Sequence, residues 1–290
     1  MNVLVVGAGL MGAQIGCEYA LGGHDVVLTA RDPERVAERR DATLRLVSEL
    51  GLAEQAAVEE AASRLTIAAG PAEVGACELA VESVPEDFDL KVALLSEVAA
   101  ASPAAIVASN TSSLSITELG ERIAAPDRTI GTHYWNPPLL MSPVEVVPGR
   151  QTAPDIVERV CDTLRALGKR PVVVTDVPGF VWNRIQMAVL REAVSLLEQG
   201  VASPDAIDEI LTYGLGRRWS NIGFFKAIAL GGVDTWQRTA ANLLPKLSAE
   251  NDIGDLGRWL TQDRQLLEQA AARRDRGLAR DLLEERREDG

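Results

Sequence analysis

A histidine and a glutamate that could share a proton lie in the stretch THYWNPPLLMSPVEVV, at His133 and Glu145. The apolar segments on either side predict two strands, and NPPLLMS predicts the turn that joins them. Adjacent strands can bring the imidazole and the carboxylate within hydrogen-bond distance, although the residues are twelve positions apart. A carboxylate on one ring nitrogen fixes the tautomer and orients the ring, which leaves the other nitrogen to transfer protons. The pair therefore predicts a general acid–base group.

A lone histidine is ordinarily structural, so a catalytic role for His133 needs support from its position in the chain. The other histidine of the chain, His24, lies in the turn GGHDV and is predicted to be solvated. Two histidines so different in setting do not predict a metal site. The carboxylate partner and the position at the end of a strand favour catalysis at His133.

A glycine-rich loop, VVGAGLMG, lies directly between an apolar strand and an amphipathic helix. In this context the glycines allow a tight turn, close approach to a pyrophosphate and close packing of helix on strand. The N-terminus of the helix adds N–H groups and a positive dipole end for the phosphates. The alternative is a glycine-rich turn without a ligand. The residues predicted to form a dinucleotide loop are Gly7, Gly9, Leu10, Met11 and Gly12.

The end of the second strand, in DVVLTARDPERV, bears on which dinucleotide is bound. An acid expected about 20 residues after the glycines would hold a ribose 2′-hydroxyl, but this position is Ala30. The next residue, Arg31, could meet a 2′-phosphate and stack on adenine, which favours NADP over NAD. Asp32 could still reach the ribose, although Asp32-Pro33 also fits the N-cap and first position of a helix.

Polar residues follow two further apolar strands at the points where those strands end. Glu82 and Glu86 follow LAV, and the loop SNTSS follows AAIVA. In an open parallel sheet, ligands bind beyond the carboxyl ends of the strands, so these residues are predicted to lie at one site. Within the loop, Ser112 is left as the candidate for chemistry. The other members are expected to satisfy loop backbone groups, namely Asn110, Thr111 and Ser113.

The composition bounds the class of protein. Hydrophobic residues make up 47% and charged residues 24% of the chain, which is typical of a folded globular protein. A net charge of −13 argues against nucleic acid and anionic membranes as partners, because both attract clustered Lys and Arg. Three widely spaced cysteines, no basic leader and no apolar run of ~18 residues together predict a cytoplasmic protein.

The order of apolar and helical segments predicts two domains. Apolar strands alternate with helices up to residue 176, which indicates a Rossmann-type, doubly wound, mostly parallel sheet over residues 1–176. Helical periodicity then continues to the C-terminus, so residues 177–290 are predicted to form an all-α domain. Ser115 with Glu118 matches a capping box, and Ser203 fits a helix N-cap. The predicted strands are Val3–Val6, Val26–Thr29, Leu79–Val84, Ile106–Ala108, Thr129–Thr132, Val144–Val147 and Val172–Val174.

Six motifs occur in a recognisable order and spacing: VVGAGLMG, SVPEDFDLK, ASNTSSLSIT, GTHYWNP, PVEVVPG and DVPGFVWNR. Over about residues 1–220 the chain resembles the 3-hydroxyacyl-CoA dehydrogenase family. Within that family, VPEDFDLK, NPP and GLGRRW are most similar to the branch of lambda-crystallin and L-gulonate 3-dehydrogenase and to carnitine dehydrogenases.

The resemblance implies a role for each matching residue. His133 is implied to be the general base and Glu145 its partner, while Ser112 hydrogen-bonds the substrate oxygen. Asn183 in VWNR and Asn136 in HYWNP are implied to bind substrate or support the site, and a helix-start hydrogen bond is the alternative for Asn183. The residues placed beside the cofactor are Glu86 and Lys91, near the nicotinamide ribose, and Asn110.

The implied reaction is hydride exchange between a nicotinamide cofactor and a 3-hydroxy acid or its thioester, giving the 3-keto form. Five arginines, no lysine and seven acids lie between Pro33 and Thr66. Few cations are therefore available for coenzyme A, and a free acid held by Arg218 is favoured, with a surface role as the alternative for Arg218. Other hypotheses are a 3-hydroxyacyl-CoA dehydrogenase, a non-catalytic dinucleotide-binding or structural protein, and a methyltransferase. The family also implies a homodimer through the helical domain.

Overall fold

The computed structural model describes residues 1–288 and divides the chain into two compact units. The first comprises residues 1–181 and the segment from Glu268 onward, and it is called the sheet unit below. The second, residues 182–267, is called the helical unit.

An eight-stranded sheet in the order β3-β2-β1-β4-β5-β6-β7-β8 forms the centre of the sheet unit. Its neighbouring strands are parallel except β6 and β7, which are antiparallel. The strands are β1 Asn2–Val6, β2 Asp25–Thr29, β3 Leu65–Ala68, β4 Leu79–Glu82, β5 Ile106–Ser109, β6 Thr129–Tyr134, β7 Pro143–Pro148 and β8 Arg170–Val173.

Side chains of β1 show why the central strands are continuously apolar. Val3 and Val5 join one core cluster, whereas Leu4 joins the cluster on the other face. Successive residues of a strand point to opposite faces, so a strand covered by helices on both sides needs apolar residues at every position. The covering helices are α1 Leu10–Leu21, α2 Pro33–Glu49, α3 Gln55–Ser63, α4 Phe88–Ala101, α5 Ile116–Arg122 and α6 Pro154–Ala166.

The helical unit contains no strand among its residues, all of which lie in the described part of the chain. Its helix α9 follows a six-residue π-helical turn, Leu211–Gly216. The α-helices are α7 Trp182–Glu198, α8 Pro204–Ile210, α9 Arg217–Ile222, α10 Phe224–Gly231 and α11 Val233–Leu243, followed by the start of α12 Arg264–Glu288. None of the helices in residues 1–288 has both the length and the apolar character that a membrane span requires.

The predicted fold class is confirmed, and three details differ. Strand β3 was missed, because its sequence LTIA is short and only Leu65 is fully buried in this edge strand. The units divide after Val181 rather than after residue 176. The C-terminal part of α12 belongs to the sheet unit, because Ala279 and Leu282 are buried and Ala279 joins the main core of that unit.

Predicted helix starts are confirmed at three caps. The Asp32 carboxylate accepts the Arg35 N–H at 3.1 Å, and the Ser203 hydroxyl accepts the Ala206 N–H at 3.3 Å. The Ser115 hydroxyl accepts the Glu118 N–H at 3.2 Å. These bonds satisfy N–H groups that the first turn of a helix leaves without a backbone partner.

Candidate active site

His133 and Glu145 lie directly opposite each other on the antiparallel strands β6 and β7. Nδ1 of His133 is 2.7 Å from Oε2 of Glu145, and the two residues are only 4% and 3% exposed. The second carboxylate oxygen, Oε1, accepts the N–H of Val181 at 2.9 Å. Because Nδ1 is engaged by Glu145, Nε2 is the nitrogen that can exchange a proton with a substrate.

Phe180 packs on the imidazole and was not found by sequence reasoning. Its ring centroid is 5.5 Å from that of His133, at an interplanar angle of 59°, and the residue is 1% exposed. Its φ of +48° lies in the left-handed region, which residues other than glycine rarely adopt and which is over-represented at functional sites. The motif PGF, in which Gly179 also has positive φ, was the available signal.

Glu86 organises the loop that carries Ser112. Its Oε1 accepts hydrogen bonds from the Thr111 hydroxyl at 2.6 Å and from the backbone N–H of Ser112 at 2.9 Å. The N–H and the hydroxyl of Ser113 donate to the same oxygen, both at 2.8 Å. Burial alone raises the pKa of Glu86, but these hydrogen bonds and the Lys91 charge outweigh it and hold the pKa below the ordinary carboxyl value. The contact of Glu86 with a ribose stays a prediction.

Lys91 lies in a buried network rather than at the surface of a cleft. Its ammonium is 2.7 Å from Glu82 Oε1 and 3.4 Å from Glu86 Oε2, and its side chain is 1% exposed. Glu82 is fully buried and also accepts the Ser109 hydroxyl and the Val84 N–H, both at 2.6 Å. Sequence reasoning placed Glu82 at the strand end but missed this pairing. The contact between Lys91 and the cofactor stays a prediction.

Asn110 joins the polar loop to the strand of the histidine. Its Oδ1 accepts the N–H of Tyr134 at 2.8 Å, and its Nδ2 donates to the Ser83 hydroxyl at 3.2 Å. The expectation that Asn110 satisfies backbone groups is therefore confirmed for one backbone N–H. A contact with the cofactor remains a prediction.

The remaining predicted substrate residues are distributed over both units. Asn136 is exposed just beyond β6, in the sheet unit. Asn183 is half-buried as the second residue of α7, and Arg218 is exposed as the second residue of α9, both in the helical unit. The substrate contacts proposed for these three residues stay predictions.

The glycine loop has the backbone geometry that a dinucleotide requires. Gly7 has a φ of +93°, and a Cβ on Gly12 would lie 2.2 Å from the Gly7 carbonyl oxygen, so neither position accepts a side chain. A Cβ on Gly9 would meet no atom within 4 Å, which leaves room for a pyrophosphate at the start of α1. Of the other predicted loop residues, Leu10 is 60% exposed and Met11 packs against the core.

A cavity of about 540 Å³ adjoins this loop. Its walls include Gly7, Gly9, Ala30 and the apolar side chains Val84 and Leu94. The size and the apolar walls fit the adenosine half of a dinucleotide. Among the described residues that line it, the charged ones are all arginines, namely Arg31, Arg35 and Arg39.

Within residues 1–288, no group of three or more His, Cys, Asp or Glu side chains could hold a metal ion.

A doubly wound sheet with a dinucleotide loop, and a buried histidine–carboxylate pair on β6 and β7, are the features of a dehydrogenase that uses a dinucleotide cofactor. Residues 2–177 match the family model described as 3-hydroxyacyl-CoA dehydrogenase, NAD binding domain, and residues 179–255 match the corresponding C-terminal domain. The chain therefore belongs to the 3-hydroxyacyl-CoA dehydrogenase family, and it is an oxidoreductase with an NAD-binding domain.

Individual relatives support this assignment. The 5-formyl-3-hydroxy-2-methylpyridine 4-carboxylate 5-dehydrogenase of Mesorhizobium japonicum is 36% identical over 262 residues, covering 88% of this chain and 84% of the relative. The L-carnitine dehydrogenase of a Pseudomonas species is 42% identical over 159 residues, covering 54% of this chain and 50% of the relative. A crystal structure of a 5-dehydrogenase of the same pyridine compound, described as an NAD+ dependent dismutase, is similar with a TM-score of 0.86 and 30% identity. It covers 97% of this chain and 98% of that protein.

Proposed function

We propose that the enzyme interconverts a 3-hydroxy acid and its 3-keto form by hydride transfer, with His133 as general base in oxidation and general acid in reduction. The 2.7 Å contact between His133 Nδ1 and Glu145 Oε2 is the observation that carries the proposal. It orients the ring and selects Nε2 for proton transfer.

Each residue of the site has a step in the proposed mechanism. Nε2 of His133 takes the hydroxyl proton of the alcohol, and the Glu145 carboxylate stabilises the imidazolium that forms. The Ser112 hydroxyl donates a hydrogen bond to the substrate oxygen, at a position fixed by the Glu86 contacts of its loop. Phe180 shields one side of the imidazole from water. When bound, the nicotinamide supplies the acceptor for the hydride that leaves the alcohol carbon.

A free acid is the substrate class that we favour. Seven acids outnumber five arginines between Pro33 and Thr66, and the net charge of −13 disfavours the phosphates of coenzyme A. Arg218 is the residue proposed to bind the substrate carboxylate, and Asn183 and Asn136 are proposed to orient the substrate. A 3-hydroxyacyl-CoA substrate is the alternative, because the matching family model carries that name.

A second candidate reaction is the oxidation of an aldehyde on an aromatic acid. One relative of this chain is named for a 5-formyl pyridine 4-carboxylate, and the crystal structure of an enzyme named for the same compound covers 97% of the chain at a TM-score of 0.86. A hydrated aldehyde carries a hydroxyl and a hydrogen on one carbon, as a secondary alcohol does. The same base at His133 would therefore serve both reactions.

NADP is the cofactor form that we propose, in preference to NAD. Ala30 offers no carboxylate to a ribose 2′-hydroxyl, and the Asp32 carboxylate is engaged as the cap of α2. Arg31 and Arg35 line the cavity, and Arg39 lines it while donating to the Ala8 carbonyl oxygen at 3.3 Å. Guanidinium groups at this point favour a 2′-phosphate.

We also infer a homodimer and a reducing compartment, the cytoplasm. In the described residues of the helical unit, 182–267, Val194 is the one side chain classed as fully buried, while Phe225 and Leu230 are 81% and 79% exposed. Apolar surface on this scale supports an interface formed by a second copy. The three cysteines carry no disulfide, which supports a reducing compartment.

A substrate screen tests the proposed function. The purified enzyme is mixed with NAD or NADP and with free 3-hydroxy acids, their coenzyme A esters and aromatic aldehydes, and absorbance of reduced nicotinamide is followed. We expect turnover with a free acid and NADP. Turnover confined to coenzyme A esters or to aldehydes would replace the favoured substrate with one of the alternatives. Binding of either cofactor with no turnover on the whole panel would favour a non-catalytic protein.

A further inference from the structure

The chain has only four lysines beside its 25 arginines. The sheet unit contains two of them, Lys91 and Lys169, and both side chains are 1% exposed and paired with a buried glutamate. The other two, Lys226 and Lys246, lie exposed in the helical unit. Lys91 belongs to the network below the Ser112 loop, whereas Lys169 has no part in the mechanism above.

Lys169 places its ammonium among three oxygen acceptors. Nζ is 2.6 Å from Glu18 Oε1, 2.6 Å from the Pro138 carbonyl oxygen and 2.9 Å from the Met141 carbonyl oxygen. An ammonium has three N–H donors, so these contacts use its whole capacity. A planar guanidinium has a different donor geometry, which explains a lysine at this position.

The three acceptors come from two parts of the site. Glu18 lies on α1, the helix that begins at the dinucleotide loop. Pro138 and Met141 lie in the hairpin loop, residues 135–142, which joins the strand of His133 to the strand of Glu145. The N–H of Met141 is also bound, to the Pro137 carbonyl oxygen at 3.1 Å. The ammonium of Lys169 therefore links helix α1 to the hairpin loop beside His133.

Stabilisation of the fold alone does not explain why Glu18 and Lys169 are buried as an ion pair. Removing two charges from water costs more than their attraction commonly returns, and apolar replacements of buried pairs are often equally stable. The cost is visible at Glu18, where burial raises the carboxyl pKa, although the Lys169 charge opposes the shift. Oε2 of Glu18 also has no hydrogen-bond partner among the described residues.

We propose that Lys169, held by Glu18, is a positioning residue that fixes the hairpin loop 135–142 against helix α1. Its contacts fix the position of Asn136, and of the strands β6 and β7 that carry His133 and Glu145, relative to the dinucleotide. The inference rests on the proposed function for its effect on turnover, but the fixing of the loop can be measured without turnover.

Three variants separate positioning from stability. K169M removes the ammonium and leaves the Glu18 charge buried alone, so it is expected to destabilise the fold. The double variant E18M/K169M removes both charges and replaces them with apolar side chains of similar length, which is expected to restore the unfolding temperature. K246M makes the same substitution at an exposed lysine of the helical unit and serves as the control.

In E18M/K169M we expect kcat to fall by about tenfold or more with little change in cofactor Kd, because the loop carbonyls have lost their donor. Hydrogen–deuterium exchange of the backbone over residues 135–142 should rise in the same variant and not in K246M. A double variant with wild-type kcat and wild-type exchange in this loop would overturn the proposal. Faster exchange in the loop of an enzyme that shows no turnover would instead count against the proposed function alone.

The variant E18Q covers the case in which the methionine variants do not fold. Its amide oxygen can still accept from Lys169, and the two loop carbonyls keep their donor, so at a temperature where the variant is folded kcat and loop exchange are expected to stay within about twofold of wild type. The unfolding temperature of E18Q should fall, because the Lys169 ammonium is left buried without a countercharge. A tenfold loss of kcat in E18Q with unchanged loop exchange would show that the ion pair acts by some route other than the loop, and the proposal would be wrong.

Discussion

The sheet unit and the helical unit differ in how their charged groups are paired and in how far their apolar side chains are buried. In the sheet unit, buried charges meet partners at short range, as Glu82 does with Lys91 and His133 with Glu145. In the helical unit, Val194 is the one fully buried side chain among residues 182–267, and large apolar side chains face outward. Both members of the proposed acid–base pair therefore lie within the sheet unit. The helical unit, by contrast, exposes the apolar side chains that the proposed second copy would cover.

The largest effect of a change inside the sheet unit, apart from loss of His133 itself, is expected for E145Q. Glutamine keeps the size of the side chain but removes the charge that stabilises an imidazolium, so kcat should fall by about 100-fold or more. Cofactor affinity should be unchanged, because Glu145 does not line the cavity beside the glycine loop. Steady-state kinetics and a fluorescence titration with the cofactor measure both quantities. Full activity in E145Q would remove the carboxylate from the mechanism.

A change in the helical unit should act on assembly. Leu230 is 79% exposed on α10, and L230D would place a charge in the proposed interface. We expect the dimer dissociation constant to rise by about 30-fold or more, which corresponds to loss of one well-buried contact residue. Sedimentation across a dilution series checks this. Identical sedimentation of the variant and wild type would place the interface elsewhere.

At the rim of the cavity, R31A should weaken NADP much more than NAD. Loss of a charged hydrogen bond to a 2′-phosphate predicts a rise of about tenfold or more in the NADP Kd, with a small change for NAD. R45A is the matched control, because Arg45 is exposed on α2, the helix that follows Arg31 in the chain, but does not line the cavity. Equal losses for both cofactors in R31A would mean that Arg31 does not distinguish them.

The smallest effect concerns the pH dependence of the Ser112 loop. The pKa of Glu86 is lowered in the folded protein, so its stabilising contribution is present at neutral pH and is lost as the pH falls through that lowered pKa. The unfolding temperatures of wild type and E86Q should therefore differ at neutral pH and converge in acid, below the pH range in which an ordinary carboxyl group titrates. Calorimetry over this range gives the comparison. A constant difference across the range would contradict the assignment.

The contrast between local and long-range contacts explains how much of the site could be predicted from the sequence. The pairing of His133 with Glu145 was predictable, because a hairpin with two apolar arms fixes which residues stand opposite each other. The pairs Glu82–Lys91 and Glu18–Lys169 were not predicted. The second joins residues 151 positions apart, and no local pattern encodes such a contact. Strand β3 was missed for a different reason, since a half-exposed edge strand lacks a continuous apolar run.

Asn183 and Arg218 show what local sequence patterns do not predict. The helical character of residues 177–290 was predictable from periodicity, and Asn183 lies on α7, Trp182–Glu198. Whether these side chains meet a substrate depends on tertiary placement, which periodicity does not encode. The pairing within a local hairpin was therefore predictable from the sequence, whereas the proposed substrate contacts of Asn183 and Arg218 were not.

The most direct test of the central claim is hydride transfer measured in a single turnover with H133Q beside H24Q. His24 is the other histidine of the chain, so H24Q controls for the substitution itself. The account predicts that H133Q binds the cofactor as wild type does but transfers hydride about 100- to 10,000-fold more slowly, while H24Q matches wild type. Hydride transfer in H133Q at the wild-type rate would contradict the assignment of His133 as the proton-transfer group.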